Sequence, residues 1–170
     1  MNDDDNLPSP VARAADDIEA HDWSRSDLGP RHGWAPELRG AVQLMRDSLT
    51  PMWLGWGPSL CMVYNALYVP MLGKKHPSAM GAPLEQVWAE IWPDIGELVA
   101  STLRGQAIGQ HDKLLITNRN GHDEQAWFSF SFSPLRDAEG SIRGMMCIVL
   151  ETTEEVMARR RLAESERRLR

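Results

Sequence analysis

The chain has 170 residues, and its 42% of hydrophobic residues is enough to build the core of one domain. A formal net charge of -6 and a pI near 5.3 exclude a broad nucleic-acid-binding surface, because contacts to phosphates need a basic stripe. The acidic N-terminus lacks a signal peptide, and no window reaches the roughly 20 apolar residues of a membrane helix. We therefore expect a cytoplasmic protein without direct membrane insertion.

The N-terminal segment is predicted to be disordered at first and helical afterwards. Residues 1–10 are polar and acidic and contain proline, which favours disorder. Residues 11–48 are predicted to be a helical extension, with a short helix over residues 11–21 and an amphipathic helix over residues 36–49. Four apolar residues of the second helix recur at spacings of three and four and share one face. These are Leu38, Val42, Met45 and Leu49.

A short hairpin and several helices are predicted to follow. Residues 51–56 and 60–64 are apolar runs on either side of Gly-Pro-Ser, a pattern that predicts two strands joined by a tight turn. Asn65 is predicted to cap the next helical turn. Residues 84–103 carry apolar side chains at helical spacing and are predicted to form two helices separated by Pro93.

After Gly109 the hydrophobic period changes to the alternation of a β-meander. A strand over residues 111–117 and the turn Asn118-Arg-Asn-Gly121 lead into residues 126–133, where aromatic and hydroxyl residues alternate. This alternation places Phe128, Phe130 and Phe132 on the core face of a strand. The next strand, residues 142–150, is apolar on both faces. It therefore needs cover from the middle helices on one face and from the N-terminal helix or a partner subunit on the other.

The chain ends in an outgoing helix, residues 154–170. Ala158, Leu162, Ser165 and Leu169 lie four, three and four apart, which is the spacing of a coiled-coil seam. Alanine and serine bury little apolar area, so the helix is expected either to continue or to pair with a copy of itself.

The order of these elements resembles the PAS family, as do several motifs. The matching pieces are the hairpin ending in Tyr64-Asn65, the turn at residues 118–121, the hairpin at residues 133–140, and Glu151-Thr152-Thr153. The resemblance covers residues 49–153. It implies an α+β fold with a five-stranded antiparallel sheet and helices on one face, between the N-terminal extension and a C-terminal signalling helix.

The resemblance also implies roles for residues at the end of the last strand. In the PAS family an acidic residue, a variable one and a threonine stand where this strand passes into the signalling helix, and Glu151 and Thr153 fit that pattern. We expect Glu151 to pair with Arg136 or Arg143 and so to tie the strand to the helix. The tail is similar to the linker that leads into a further PAS domain or the dimerisation helix of a histidine kinase.

By the same resemblance, a ligand pocket lies between the inner face of the sheet and the middle helices. An apolar, aromatic wall favours a small apolar or amphipathic organic ligand. The alternative to a ligand pocket is that these side chains simply fill the core. Strand parity and helix positions nominate Tyr68, Trp88, Trp92, Ile95, Leu114, Ile116, Phe128, Phe130, Phe132, Met145, Cys147 and Val149. The first strand adds Trp53 or, because its parity is ambiguous, Leu54.

No cofactor and no enzymatic activity are predicted. Haem-binding relatives present a histidine from the helix before the meander, and residues 93–106 contain none. Flavin-binding relatives use an Asn-Cys-Arg-Phe-type motif, which residues 79–95 lack. The histidines have no metal-ligand spacing, and the serines of residues 129–133 have no histidine or acid at an informative spacing.

Two function hypotheses remain, with a third below them. The first is a ligand-binding, dimerising input domain of a bacterial signal-transduction protein, such as the sensor histidine kinase of a two-component system. The second is a ligand-free dimerisation scaffold. The third is a redox or light sensor with a bound cofactor. The expected partners are a second copy, through the N-terminal and C-terminal helices, and a downstream kinase or second PAS domain.

Overall fold

The computed structural model describes residues 17–170. The disorder predicted for residues 1–10 and most of the helix predicted for residues 11–21 lie outside the described residues, although residues 17–20 are helical. Short 3-10 turns follow at Trp23–Arg25 and Arg31–Gly33.

The amphipathic helix predicted in the N-terminal extension is present as α1, Pro36–Asp47. Pro36 occupies its first turn, where the missing N–H costs nothing. Leu38, Val42 and Met45 are buried as predicted, whereas Leu49 lies beyond the end of the helix and is 84% exposed. The helix therefore presents a shorter apolar face than the sequence suggested.

Five antiparallel strands form one sheet, in the order β2-β1-β5-β4-β3. They are β1 Met52–Trp56, β2 Cys61–Tyr64, β3 Ile108–Thr117, β4 Glu124–Arg136 and β5 Ile142–Glu151. The central position of β5 explains why this strand is apolar on both faces. The predicted α+β, PAS-like fold is confirmed.

Short helices connect β2 to β3 across the inner face of the sheet. They are the 3-10 turn Ala66–Tyr68, α2 Val69–Leu72, the 3-10 turn Gly73–Lys75, α3 Leu84–Val87, the 3-10 turn Ala89–Ile91 and α4 Trp92–Leu103. The predicted break at Pro93 is wrong. Pro93 lies in the first turn of α4, and the helical path is interrupted at Trp88 instead.

Asn65 does not cap the turn that follows it, contrary to the prediction. Its buried amide instead accepts a hydrogen bond from the Met52 backbone N–H at 3.1 Å. The same amide donates to the carbonyls of Met45 and Thr50, at 3.1 and 2.9 Å. The side chain thereby fixes the end of α1 against the first hairpin.

The outer face of the sheet is covered at both ends. Near β1 and β2, the buried side chains of Met52 and Leu54 point away from the middle helices, and α1 packs against both strands. The outgoing helix α5, Thr153–Arg168, folds back against β4. The intervening outer surface leaves Ile148 and Leu150 of β5 about half exposed.

Candidate functional site

A cavity of about 50 Å³ lies between the inner face of the sheet and the middle helices. It offers room for about three or four water molecules, or for an organic molecule of a few heavy atoms. Drug-sized ligands occupy pockets of roughly 300–1,000 Å³, so the cavity in this conformation admits much smaller molecules. Its wall consists of Trp53, Tyr68, Met71, Trp88, Ile91, Ile95, Leu115, Thr117, Phe128, Phe130, Phe132 and Val149.

Most side chains that the sequence assigned to the pocket line this cavity. They are Trp53, Tyr68, Trp88, Ile95, Phe128, Phe130, Phe132 and Val149. Met145 and Cys147 share the inner face of β5 with Val149 and are buried, but they lie further along the strand, opposite Gly55 and Trp53 of β1, and do not line the cavity.

The assignment of Trp92 to the pocket is wrong. Ile91 and Ile95 lie four residues apart and face the cavity from one side of the helical path. Trp92 lies about 100° further round and packs over Gly96, beside the turn between β1 and β2.

The assignment of Leu114 and Ile116 is also wrong, because the parity of β3 is the reverse of the predicted one. These two side chains are 41% and 49% exposed on the outer face, while Leu115 and Thr117 point into the cavity. The register pairs Leu115 with Ala126 and is shifted by a bulge between Gln110 and Lys113. Because Leu-Leu-Ile is apolar at every position, the sequence cannot show which residues face inward.

Arg119, in the turn between β3 and β4, closes one end of the site. Its side chain is 9% exposed and binds Glu151 through Nη1–Oε1 at 2.6 Å and Nη2–Oε2 at 3.0 Å. Its Nε donates to Glu124 Oε1 at 2.8 Å. The guanidinium also lies 5.9 Å from the ring centroid of Phe128 and donates to the Met71 carbonyl at 3.5 Å. Arg119 therefore contacts two walls of the cavity and two carboxylates.

Glu151 is held ionised by these partners. Burial alone would raise the pKa of Glu151, but hydrogen bonds from Arg119 and Thr153, together with the charge of Arg119, lower it. Hydrogen bonding to Glu151 is also the main reason why the pKa of Arg119 is raised. The Thr153 hydroxyl donates to Glu151 Oε2 at 2.8 Å and accepts from the Trp127 backbone N–H at 3.0 Å. This threonine is the first residue of α5.

The predicted pairing of Glu151 with Arg136 or Arg143 is wrong. Arg136 donates to the Gly140 carbonyl at 2.8 Å, and Arg143 lies 3.6 Å from Asp137. Both arginines belong to the β4–β5 hairpin, and the ten residues of β5 put Glu151 about 30 Å away at the opposite end of the sheet. Because β4 and β5 are antiparallel neighbours, the turn before β4 lies at the same end of the sheet as the end of β5. This topology is the signal that points to Arg119.

Further contacts fasten α5 to the outer face of the sheet. The Thr152 backbone N–H donates to the Trp127 carbonyl at 2.7 Å, and the Arg160 guanidinium lies 4.9 Å from the indole centroid of Trp127. Arg159 forms an ion pair with Asp112, the residue at the β3 bulge. The helix is thus docked along its first turns rather than projecting freely.

Residues 17–170 contain neither a metal-binding cluster nor a membrane-spanning helix. No group of three or more His, Cys, Asp or Glu residues in this range is arranged to hold a metal ion. Within the same range, no helix has the length and apolar character that a bilayer crossing requires. His76 instead shares a 2.8 Å hydrogen bond between its Nδ1 and the hydroxyl of Tyr64.

The sequence profile described as PAS fold matches residues 59–157, which is more than half of the chain. The chain belongs to the PAS family. No curated protein matches it in sequence.

Solved structures share this PAS architecture at low sequence identity. An RNA-binding light-oxygen-voltage receptor matches with a TM-score of 0.54 and 21% identity, over 84% of this chain and 42% of that one. A light-oxygen-voltage domain studied with a flavin analogue matches with a TM-score of 0.53 and 17% identity, over 76% of this chain and 96% of that one. The PAS domain of Bordetella pertussis BvgS matches with a TM-score of 0.50 and 16% identity, over 77% of this chain and 98% of that one. At these identities the likeness concerns the fold alone.

Proposed function

We propose that this PAS domain is the sensory input domain of a bacterial signal-transduction protein, and that it couples its core cavity to α5. The observation that carries the proposal is the position of Arg119. This side chain contacts Phe128 and Met71 of the cavity wall and binds Glu151, which in turn binds Thr153 at the start of α5. A change in the packing of the wall has a direct mechanical route to the helix.

The route is short and rigid enough to transmit small movements. Bidentate pairing fixes the relative orientation of the Arg119 and Glu151 planes. The backbone amide of Lys74, in the turn after α2, donates to the Arg119 carbonyl at 2.8 Å and so fixes the other end. A shift of the middle helices or of Phe128 therefore displaces the carboxylate of Glu151, to which Thr153 at the start of α5 is hydrogen-bonded.

The proposal includes a parent protein and a ligand. We place the domain in the cytoplasm, upstream of a histidine kinase or a second PAS domain, with a small organic ligand and no permanent cofactor. In such a kinase, Glu151→Ala is expected to uncouple autophosphorylation from the stimulus without unfolding the domain. Unchanged regulation in that variant would contradict the coupling role.

Amide hydrogen exchange on the isolated domain tests the route directly. Arg119→Gln should raise exchange in the first two turns of α5 at least tenfold, because the contact with Glu151 that fastens this helix is lost. Arg143→Gln is the matched control, since Arg143 lies at the far end of the sheet and is exposed. No change in α5, or a rise in α5 that the Arg143→Gln control shares, would refute the proposed route.

A second candidate function is dimerisation, favoured by the exposed side of α5. Val156 and Ala163 face the sheet, whereas Leu162 of the predicted seam lies roughly 100–120° further round the helix and is 62% exposed. Leu169, just past the end of the helix, is 87% exposed. Native mass spectrometry with Leu162→Glu distinguishes the cases. A wild-type dimer that becomes monomeric in the variant supports pairing through the seam, and a monomeric wild type contradicts it.

A further inference from the structure

A groove in the N-terminal extension gathers positive charge in an otherwise acidic protein. It lies between the 3-10 turn Arg31–Gly33 and α1, and its volume is about 330 Å³. None of its lining residues is acidic, although the whole chain carries a net charge of -6. The basic residues that line it are Arg31, His32, Arg39 and Arg46.

The fold holds two of these guanidinium groups in place. That of Arg31 lies 5.9 Å from the ring centroid of Trp34, and Arg46 Nη2 lies 2.9 Å from Glu19 Oε1. Stacking on an indole and pairing with one carboxylate oxygen each orient a guanidinium without using all of its N–H donors. Donors therefore remain for a ligand, and less side-chain entropy is lost when it binds.

The third guanidinium lies on the same side of α1 as the second. Arg39 and Arg46 are seven residues apart, which is two turns of the helix. Arg39 is exposed, and among residues 17–170 neither Arg39 nor Arg31 forms an ion pair. The buried side chains of Trp34 and Val42 also line the groove. Because these apolar walls have a low dielectric constant, they strengthen the field of the surrounding charges.

We propose that this groove binds a small organic anion with at least two negative charges, carried by phosphate or carboxylate groups. The planar fork of a guanidinium matches the oxygen geometry of both groups. Small molecules occupy pockets of roughly 300–1,000 Å³, and the groove falls in this range. A nucleic acid would extend beyond the groove and meet the net negative charge of the chain. The groove shares no lining residue with the core cavity, so it is a second site beyond the proposed sensory function.

Glu19 sets the charge that the ligand must carry. Hydrogen bonding to Arg46 and the charges of Arg46 and Arg31 lower the pKa of Glu19, so its carboxylate competes for the same donors. The Glu19 side chain is 56% exposed and can turn towards solvent when another anion binds. A monovalent anion would only replace one negative charge by another. An anion with two or more charges gains contacts with the remaining arginines as well.

Pyrophosphate and citrate serve as probes of the two chemistries, and chloride at equal ionic strength is the monovalent reference. The Trp34 indole N–H donates to the Gly29 carbonyl at 2.9 Å, so its NMR resonance reports on the groove. We expect saturable shifts of this resonance with dissociation constants on the order of 1 mM for pyrophosphate, citrate or both, and none for chloride. The indole resonance of Trp88, which lines the core cavity, should not shift.

Two matched variants separate recognition from general attraction. Arg39→Gln removes a charge-assisted contact and should weaken binding roughly tenfold. Because Arg39 is exposed, the variant should keep the stability of wild type. Arg25→Gln removes the same charge from the neighbouring 3-10 turn, where the side chain is 88% exposed and does not line the groove. This control should bind both probes as wild type does.

Three outcomes would overturn the proposal. The first is the lack of a saturable shift with either probe. The second is equal weakening by Arg25→Gln and Arg39→Gln, since the attraction would then be that of the overall charge only. The third is binding that occurs only after each aspartate of residues 3–5 is replaced by asparagine. In that case acidic residues of the chain itself fill the groove, and a separate anion is not its ligand.

Discussion

Arg119 binds Glu151 through both terminal nitrogens, at 2.6 and 3.0 Å, and joins the β3–β4 turn to the end of β5. The two residues are 32 positions apart in sequence, and Arg119 is not the partner that the sequence suggested for Glu151. Their contact lies between the cavity wall and the first residue of α5. The stability of the domain and the proposed coupling to α5 therefore rest on the same ion pair.

Removing the arginine should be costly because it leaves two carboxylates without their cation. Arg119→Met is expected to lower the free energy of unfolding by about 2–4 kcal/mol, somewhat less than the roughly 3–5 kcal/mol for a fully buried ion pair, because the Glu151 side chain is 27% exposed. Urea denaturation measures this loss, and a double-mutant cycle with Glu151→Gln isolates the pairwise part. Arg143→Met, whose side chain is 55% exposed, should change stability by less than about 0.5 kcal/mol. Additive losses in the cycle would contradict coupling.

The ion pair also makes stability depend on pH. The pKa of Glu151 lies below its usual value of 4.5 in the folded protein, so its contribution to stability is complete above pH 4.5. That contribution is lost as the pH falls below 4.5 and through the lower folded pKa. The difference in unfolding free energy between wild type and Glu151→Gln should therefore shrink with acidification in this window. A difference that stays constant from neutral to acidic pH would contradict the assignment.

The sequence predicted those parts of the fold in which one local pattern excludes the alternatives. Alternating Phe and Ser residues can satisfy only a half-buried strand, so Phe128, Phe130 and Phe132 were placed correctly on the cavity face. The same reasoning failed for Leu114 and Ile116, since apolar neighbours on both sides leave the parity undetermined and the bulge before Lys113 lies in a polar stretch.

The functional contacts were harder to predict because they depend on tertiary geometry. The sequence indicates only that Arg119 belongs to a turn, and its role follows when that turn is placed at the same end of the sheet as Glu151. Thr117 was assigned to a strand without a site role, since a threonine in a strand is ordinary. Its place in the cavity wall follows only when the inward-facing positions of β3 are known.

The close approach of β1 and β5 predicts a sharp steric effect. A Cβ atom at Gly144 would overlap the Gly55 carbonyl oxygen and lie 3.0 Å from the Trp56 Cα, both of them backbone atoms that cannot move aside. Gly144→Ala should therefore cost at least about 2 kcal/mol in unfolding free energy. Gly109→Ala is the matched strand control, because a Cβ there meets nothing within 4 Å. Equal stability of the two variants in urea denaturation would contradict the close packing.

The junction between β5 and α5 gives the last prediction. The Thr153 hydroxyl donates to Glu151 and accepts from the Trp127 amide, so Thr153→Val removes two hydrogen bonds while keeping the shape of the side chain. We expect a loss of about 1–2 kcal/mol in unfolding free energy and faster amide exchange in the first turn of α5. Thr153→Ser keeps the hydroxyl and should restore both values to near wild type. If the amides at the start of α5 exchange as fast in the serine variant as in the valine variant, the methyl group of Thr153 rather than its hydroxyl fastens the helix. The Thr153 hydroxyl would then have no part in the coupling route.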